Sequence, residues 1–292
     1  MVHRFVLHNQ DIREASALSL SPGQVGLLSG WGVFSTLRVS GGVLFAWERH
    51  WARLSRDAAM MHIPLPEDPE AVHQKLLELV EANGAGNCTL RLVIVRNGGG
   101  MWAGPSNGRP SDVIALTADS KNWGHGVKLA YQPNGRHAAS PFAGTKILSW
   151  AMNLTWAEMA QTRGFDEVIL LNERGEVAEC TSANIFASRG GDVWTPPLSS
   201  GCLPGITREV ILGEVAVPGI RITEKVLHPA DLESADEVFI TSTTRDLLPV
   251  RQIEDRQVGR GDSTRIALQT AFSAFVDFYI SHQKRLHPVA NR

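Results

Sequence analysis

Gly175-Glu176-Val177-Ala178-Glu179-Cys180-Thr181-Ser182-Ala183-Asn184-Ile185-Phe186 is the stretch on which the reading of this chain turns. Asn172-Glu173-Arg174-Gly175 is a turn, Glu176–Thr181 reads as a strand after it, and Ile185–Ala187 continues extended. Glu179 alternates with Val177, so a carboxylate faces the same side as an apolar neighbour. Such a carboxylate is either a rim charge or has a buried cationic partner. Downstream, Gly201-Cys202-Leu203-Pro204-Gly205-Ile206-Thr207-Arg208 opens a helix with proline near its first turn. The N–H groups and dipole of that helix start suit an anion, and plain capping is the simpler account of the same residues. Upstream, Ala143-Gly144-Thr145-Lys146 sets a lysine after a small, turn-prone segment and before a helix predicted from Leu148 to Arg163, ended by Gly164. Its amine can project into a cleft, and taken alone it reads as a surface lysine.

Outward from this centre the chain alternates strands and helices. Gly32–Val39 and Val43–Phe45 flank Ser40-Gly41-Gly42 and read as a hairpin. A helix is predicted over Glu48–His62 with Trp51, Leu54, Ala58 and Met61 on one face, and a second over Pro69–Asn83 with Val72, Leu76, Leu79 and Val80. Strands follow at Thr89–Val95 and Val113–Thr117, and the polar stretch 119–126 is the candidate linker. Past Val127–Tyr131 and the central stretch, Glu237–Thr241 is a strand. Ser263 to about Lys284 is a long helix with Ile266, Ala267, Thr270, Phe275 and Phe278 available for burial.

The chain has 292 residues, 43% of them hydrophobic and 20% charged, with a formal net charge of −2. At roughly 150 residues per domain this suggests two domains. The near-zero charge argues against a protein built to coat nucleic acid or an anionic membrane. No apolar run approaches the roughly 18 residues of a membrane span, and the first residues show no secretory pattern, so a cytoplasmic protein is expected. Three cysteines without a C-x-x-C suggest neither a disulfide framework nor a zinc site. The ten histidines form no H-E-x-x-H pattern, which disfavours a metal hydrolase.

A lysine, a strand carboxylate and a helix start together are what a pyridoxal-phosphate site needs. The lysine forms a Schiff base, the carboxylate keeps the ring nitrogen protonated, and the helix start binds the phosphate. On these motifs the chain resembles the fold-type-IV pyridoxal-phosphate enzymes, the class-IV aminotransferase family, from about Phe5 to about Phe278. The resemblance implies an α/β (α+β) architecture of the D-amino-acid-aminotransferase type. Its smaller N-terminal domain would span 1–118, the linker 119–126, and a larger pseudo-barrel domain 127–292. It implies Lys146 as Schiff-base lysine and catalytic acid/base, and Glu179 as partner of the pyridine nitrogen. Arg53, in His50-Trp51-Ala52-Arg53-Leu54, matches the phosphate-binding arginine, for which bidentate geometry suits a guanidinium. Ile206 and Thr207 match the phosphate-binding amides, Leu203 the residue packing on the ring, and Thr243 a turn contacting phosphate or substrate carboxylate. Asn184 matches a structural hydrogen-bonding position. Thr36, Arg38, Arg91 and Thr244 are the implied substrate-pocket residues. The family also implies a homodimer acting on a small molecule, with Trp51 or Trp150 fitting its interface.

Within the family, Phe34-Ser35-Thr36-Leu37-Arg38-Val39, Arg96-Asn97-Gly98-Gly99-Gly100 and Val177–Phe186 are similar to the segments of aminodeoxychorismate lyases. Branched-chain aminotransferases carry a tyrosine where this chain has Ala151. The expected activity is therefore release of 4-aminobenzoate and pyruvate from aminodeoxychorismate. Leu203–Arg208 is common among the aminotransferases and keeps amino-group transfer as the alternative. Gly30-Trp31-Gly32 departs from the family's usual G-D-G. A binding scaffold without catalysis would not require Lys146, Glu179 and Arg53 together.

Overall fold

The computed structural model of the chain describes residues 1–21, 24–101 and 108–286. The chain divides into two compact units. Unit 1 holds Met1–Lys121, Lys146–Trp150 and the end of the C-terminal helix from Phe278; unit 2 holds Asn122–Thr145 and Ala151–Asp277. The division at Lys121 lies inside the 119–126 stretch, while the expected span 127–292 is interrupted by the lysine segment and by the helix end. Residues 287–292 of that span lie outside the described residues.

Unit 1 is a six-stranded antiparallel sheet with helices on one face. Its strands are β1 (Val2–His8), β2 (Asp11–Glu14), β3 (Gly32–Ser40), β4 (Val43–Leu44), β5 (Cys88–Arg96) and β6 (Ser111–Ala118), in the order β2-β1-β6-β5-β3-β4. The helices are α1 (Val25–Ser29), α2 (Trp47–Met60) and α3 (Pro69–Ala82). Leu37 and Val39 of β3 and Leu90, Leu92 and Ile94 of β5 point to the helices and pack with Leu76 and Leu79 of α3. Each such leucine, removed from water, contributes about 1.5–3 kcal/mol. Strand alternation turns Phe34, Thr36 and Arg38 to the opposite face, where Thr36 sits directly across from Arg91. Asp68 caps α3 through the Glu70 and Ala71 amides, with Pro69 in the first turn. The hairpin and both helices stand close to their sequence-predicted spans, whereas the edge pair β1–β2 gave no clear signal.

Unit 2 is built on nine strands: β7 (Val127–Gln132), β8 (Glu167–Leu171), β9 (Val177–Cys180), β10 (Asn184–Arg189), β11 (Asp192–Thr195), β12 (Arg221–Glu224), β13 (Glu237–Ser242), β14 (Asp246–Ile253) and β15 (Arg256–Gln257). Their order is β12-β11-β10-β13-β14-β7-β8-β9, with β15 on β14. From β10 to β9 this path crosses six strands, which laid flat would separate the ends by roughly 24 Å. Yet three residues join β9 to β10, a reach of at most about 14 Å, and the Cys180 amide donates to the Ala183 carbonyl at 2.8 Å. The sheet must therefore curl on itself, the pseudo-barrel that the resemblance implies. Val127, Leu129, Ile169, Val177, Ile185, Ile240 and Val250 pack inside it. The helices are α4 (Ala151–Thr162), α5 (Ile206–Gly213), α6 (Pro229–Glu233) and α7 (Ser263–Leu286).

Two sequence expectations need correction. The helix expected from Leu148 begins at Ala151, because Lys146–Leu148 runs extended along β3. In α7 the buried residues are Leu268, Phe272, Val276 and Ile280, while Ile266 and Phe278 are exposed. Both sets repeat at helical spacing, and apolar spacing alone does not fix which face turns inward. No helix among the described residues is long and apolar enough to cross a membrane.

Candidate active site

In unit 1 the chemistry starts on α2. Its buried residues are His50, Arg53, Leu54, Asp57 and Ala58, the i, i+3, i+4, i+7, i+8 stripe of an inward helix face. Three of these five are polar, so the stripe carries functional groups as well as packing. Arg53 Nη2 donates to Ser35 Oγ at 3.0 Å, and Ser35 Oγ lies 2.8 Å from His50 Nδ1. Burial pushes His50 well below its ordinary value, and the Arg53 and Lys146 charges add to the effect. A neutral ring that accepts from Ser35 at Nδ1 carries its proton on Nε2. That atom is buried with no hydrogen-bond partner among the described residues.

Lys146 is placed by the sheet. The Phe34 amide donates to its carbonyl at 3.1 Å, the Leu148 amide donates to the Gly32 carbonyl at 2.9 Å, and Ile147 bridges Val33. Lys146–Leu148 is thus a short antiparallel addition beside the start of β3. The close approach requires glycine. A Cβ on Gly32 would lie 2.4 Å from Leu148 Cδ1, and one on Gly30, at φ +63°, would lie 2.6 Å from Ser149 Oγ. Trp31 between them donates from Nε1 to the Met61 carbonyl at 2.7 Å, with the Arg96 guanidinium over its ring at 4.1 Å. This gives the departure at Gly30-Trp31-Gly32 a packing role. Lys146 Nζ lies 4.5 Å from the centre of the Phe34 ring and the Arg91 guanidinium 4.0 Å from the same ring. Burial lowers the Arg91 pKa from its ordinary value. Lys146, Phe34 and Arg91 therefore meet, with Thr36 and Arg38 along the same sheet face. Trp150 packs edge-on to Phe34, and Trp51 packs on the unit 1 core and Trp47, and both are half-buried.

In unit 2 the centre is Glu179, buried on β9. Its Oε1 accepts from Arg136 Nε at 2.9 Å and its Oε2 from the Leu203 amide at 3.0 Å. Of the two readings open at the sequence level, the buried cationic partner is the correct one. Arg136 gave no sequence signal, since it sits in the irregular stretch after β7. Asn153 of α4 accepts from Arg136 Nη1 at 3.3 Å and donates to the Thr181 carbonyl at 2.7 Å. Asn184 donates to the Leu203 carbonyl at 2.8 Å and pairs in register with Thr241, which links the Leu203 loop to β13. The main chain of Leu203 is thus held from both sides, its amide by Glu179 and its carbonyl by Asn184. Ile206 and Thr207, both buried, open α5 directly after that loop, and its N-cap residue, Gly205, supplies no side-chain cap. Thr243 and Thr244 form the β13–β14 turn, where the hydroxyls of Ser242 and Thr244 lie 3.4 Å apart. Arg245 anchors the turn by donating to the Ser182 carbonyl at 3.0 Å and to Glu167 at 3.1 Å.

The chain matches the family described as amino-transferase class IV over residues 32–253. A protein of Methanocaldococcus jannaschii, provisionally named a branched-chain-amino-acid aminotransferase, is 32% identical over 236 residues, 80% of this chain and 82% of that protein. The crystal structure of the branched-chain aminotransferase of Escherichia coli superposes with a TM-score of 0.85 at 25% identity, covering 94% of this chain and 95% of that one. A Legionella pneumophila structure provisionally named 4-amino-4-deoxychorismate lyase gives 0.81 at 22% identity over 89% and 96% of the two chains, a likeness of fold. The protein belongs to the class-IV aminotransferase family. It is an enzyme of fold type IV, and its cofactor is pyridoxal 5'-phosphate.

Proposed function

We propose that the chain transfers an amino group between an amino acid and a dicarboxylic keto acid, with Lys146 as the residue that condenses with the cofactor. Transfer is favoured by the aminotransferase relatives, and recognition of a dicarboxylate is supported by the sheet face of unit 1, where Arg91 shares the Phe34 ring with Lys146 Nζ and Arg38 follows two residues beyond Thr36. One guanidinium on the ring that the amine shares, and a second arginine further along the same sheet face, suit a substrate with two carboxylates.

The residues fit the cofactor. Among the described residues the buried Nε2–H of His50 lacks an acceptor, and it lies near two cations, Arg53 and Lys146, an environment that favours an anion. On unit 2, an uncapped helix start offers the Ile206 and Thr207 amides, and the Glu179 carboxylate has acceptor capacity beyond its two donors. When bound, pyridoxal phosphate supplies an aldehyde for condensation and a protonated ring that withdraws electron density. The family resemblance assigns Arg53, Ile206, Thr207 and Thr243 to its phosphate, Leu203 to its ring face and Glu179 to the proton on its ring nitrogen. Lys146 Nζ takes the proton from the substrate carbon bearing nitrogen and returns it during transfer. Arg38, Arg91 and Thr36, on one sheet face of unit 1, would orient the carboxylates.

A second reading, lyase action on aminodeoxychorismate, is favoured by Ala151 in place of the tyrosine of branched-chain enzymes. That substrate also carries two carboxylates, so the same arginines serve it. One experiment separates the two. Cofactor-loaded protein is incubated with leucine or D-alanine plus 2-oxoglutarate, and separately with aminodeoxychorismate alone. Glutamate formation in the first supports transfer; 4-aminobenzoate and pyruvate in the second establish the lyase reading. Neither product, with borohydride failing to fix a pyridoxyl group on Lys146, sinks both.

We also infer a cytoplasmic homodimer. Met152, Leu154 and Met159 of α4 are exposed apolar residues suited to burial against a second copy, and three buried free cysteines suit a reducing compartment. Light scattering during gel filtration checks the mass.

A further inference from the structure

Lys146 stands where its segment leaves the sheet. Directly opposite Phe34 in an antiparallel ladder, a residue exchanges both of its main-chain hydrogen bonds with its partner. Lys146 makes one of them, its carbonyl accepting from the Phe34 amide. Its own N–H turns instead to Asp57 Oδ2 at 3.0 Å. Asp57 is buried on the α2 stripe that carries Arg53 one helical turn earlier, and its Oδ1 accepts from Arg56 Nε at 2.9 Å. A buried carboxylate thus has one oxygen on a counter-ion and the other on the main chain of the lysine.

We infer that Asp57 is a positioning residue for Lys146: by accepting the Lys146 N–H it replaces the missing ladder bond and fixes where Nζ emerges over the Phe34 ring. The inference rests on the reading of Lys146 as the cofactor lysine. A hydrogen bond to a charged acceptor is among the stronger ones in a protein, and loss of the acceptor leaves a buried amide unsatisfied. An asparagine can still present an oxygen to that amide, whereas alanine cannot.

The test compares full-length wild type, Asp57→Asn and Asp57→Ala. Hydrogen exchange of the Lys146 amide is measured in the cofactor-free chain, with the Leu92 amide of β5 as a control for general loosening. The rate at which added pyridoxal phosphate becomes borohydride-fixed on Lys146 is then followed by peptide mapping. In Asp57→Ala, Lys146 exchange should rise and the fixation rate fall, each by about ten- to a hundredfold, with Leu92 unchanged. Asp57→Asn should stay within about threefold of wild type in both. Wild-type behaviour of the alanine variant overturns the inference. So does an asparagine variant as impaired as alanine, because charge against Arg56 would then be what matters. Should the alanine variant fail to fold, Arg56→Leu decides: it keeps the acceptor, so the Lys146 amide must remain protected, and an unprotected amide there or in wild type overturns the inference. Fixation on another lysine, with the Lys146 amide protected, sinks the role of Lys146 and leaves the Asp57 hold standing.

Discussion

In unit 1 the lysine segment lies at the margin of an open sheet and is held through its main chain, Lys146 by Phe34 and the Asp57 carboxylate and Leu148 by Gly32. In unit 2 the glutamate lies within a curled sheet and is held by a side-chain ion pair to Arg136 and one amide. The difference follows from what each group must do. A lysine that condenses with an aldehyde and carries protons needs a long, movable side chain on a fixed main chain. A carboxylate that only holds a proton on a ring needs the carboxyl group itself fixed, and short side chains in a packed interior do that well. The contrast fails if disturbing the main chain at Lys146 matters less than disturbing packing elsewhere, or if Glu179 tolerates loss of charge.

The largest expected effect comes from removing that charge. Glu179→Gln keeps the size and one acceptor oxygen, so the chain should still bind cofactor. Turnover should fall by about a hundred- to a thousandfold, the range seen when a placed electrostatic stabiliser is lost. Spectrophotometric titration with pyridoxal phosphate and single-turnover rates separate the two quantities. Turnover within about threefold of wild type removes the role of Glu179.

Next in size is Gly32→Ala, which attacks the main-chain arrangement without touching a polar group. The added methyl meets the Leu148 side chain of the lysine segment and, at 2.7 Å, the Ile94 carbonyl of β5, so the Leu148 side chain and β3 must shift. Overpacking of this kind costs about 1–3 kcal/mol, and thermal denaturation should show it. The rate of pyridoxyl fixation on Lys146 should fall alongside. If stability drops while fixation is unchanged, the segment's pairing with β3 does not place the lysine.

How far the sequence carries can be judged on the same residues. The resemblance pointed to Thr36, Arg38 and Arg91, but only the β3–β5 register shows Thr36 directly across from Arg91, and Glu179 stood out as a carboxylate on an apolar strand face, with a rim charge and a buried partner both open. That partner, Arg136, was not legible, because residues in an irregular loop carry no periodicity to say where they point. Asp57 left a weak trace, as one of three polar residues at i, i+3 and i+7 on a helix face that also carries Leu54 and Ala58. The expected stripe of Trp51, Leu54, Ala58 and Met61 followed hydrophobicity and so passed over the polar half of the buried face. The helix start at Leu148 was misplaced because Ile147 and Leu148 are apolar in either conformation, and only contact with Gly32 decides for the extended one. Glu167 and Arg245, a buried pair between β8 and the β13–β14 turn, joined residues too distant in sequence to suggest each other.

That second pair sharpens the comparison through pH and has the smallest expected effect. Glu167 accepts from Ser182 Oγ at 2.5 Å, from Thr181 Oγ1 and from Arg245 at 3.1 Å, and the Arg245 guanidinium lies 3.9 Å from the centre of the Trp123 ring. Burial raises the Glu167 pKa above its ordinary 4.5, and the Arg245 charge and the hydrogen bonds only partly offset it. Burial likewise lowers the Arg245 pKa from its ordinary value. In the folded chain Glu167 then keeps its proton at pH values where the unfolded chain has released it. The contribution of this group to stability is fully present below pH 4.5 and is lost as pH rises through the raised folded value. Stability of wild type relative to Glu167→Gln, which cannot titrate, should therefore fall with rising pH from about 4.5, by at most about 1.4 kcal/mol per pH unit. Urea denaturation of both forms across that range measures the difference. A flat or rising difference would mean that Arg245 outweighs burial. The pair would then be a stabilising lock on the turn that carries Thr243 and Thr244, and ion pairing in unit 2 would be as strong an organiser as the main-chain bonds of unit 1.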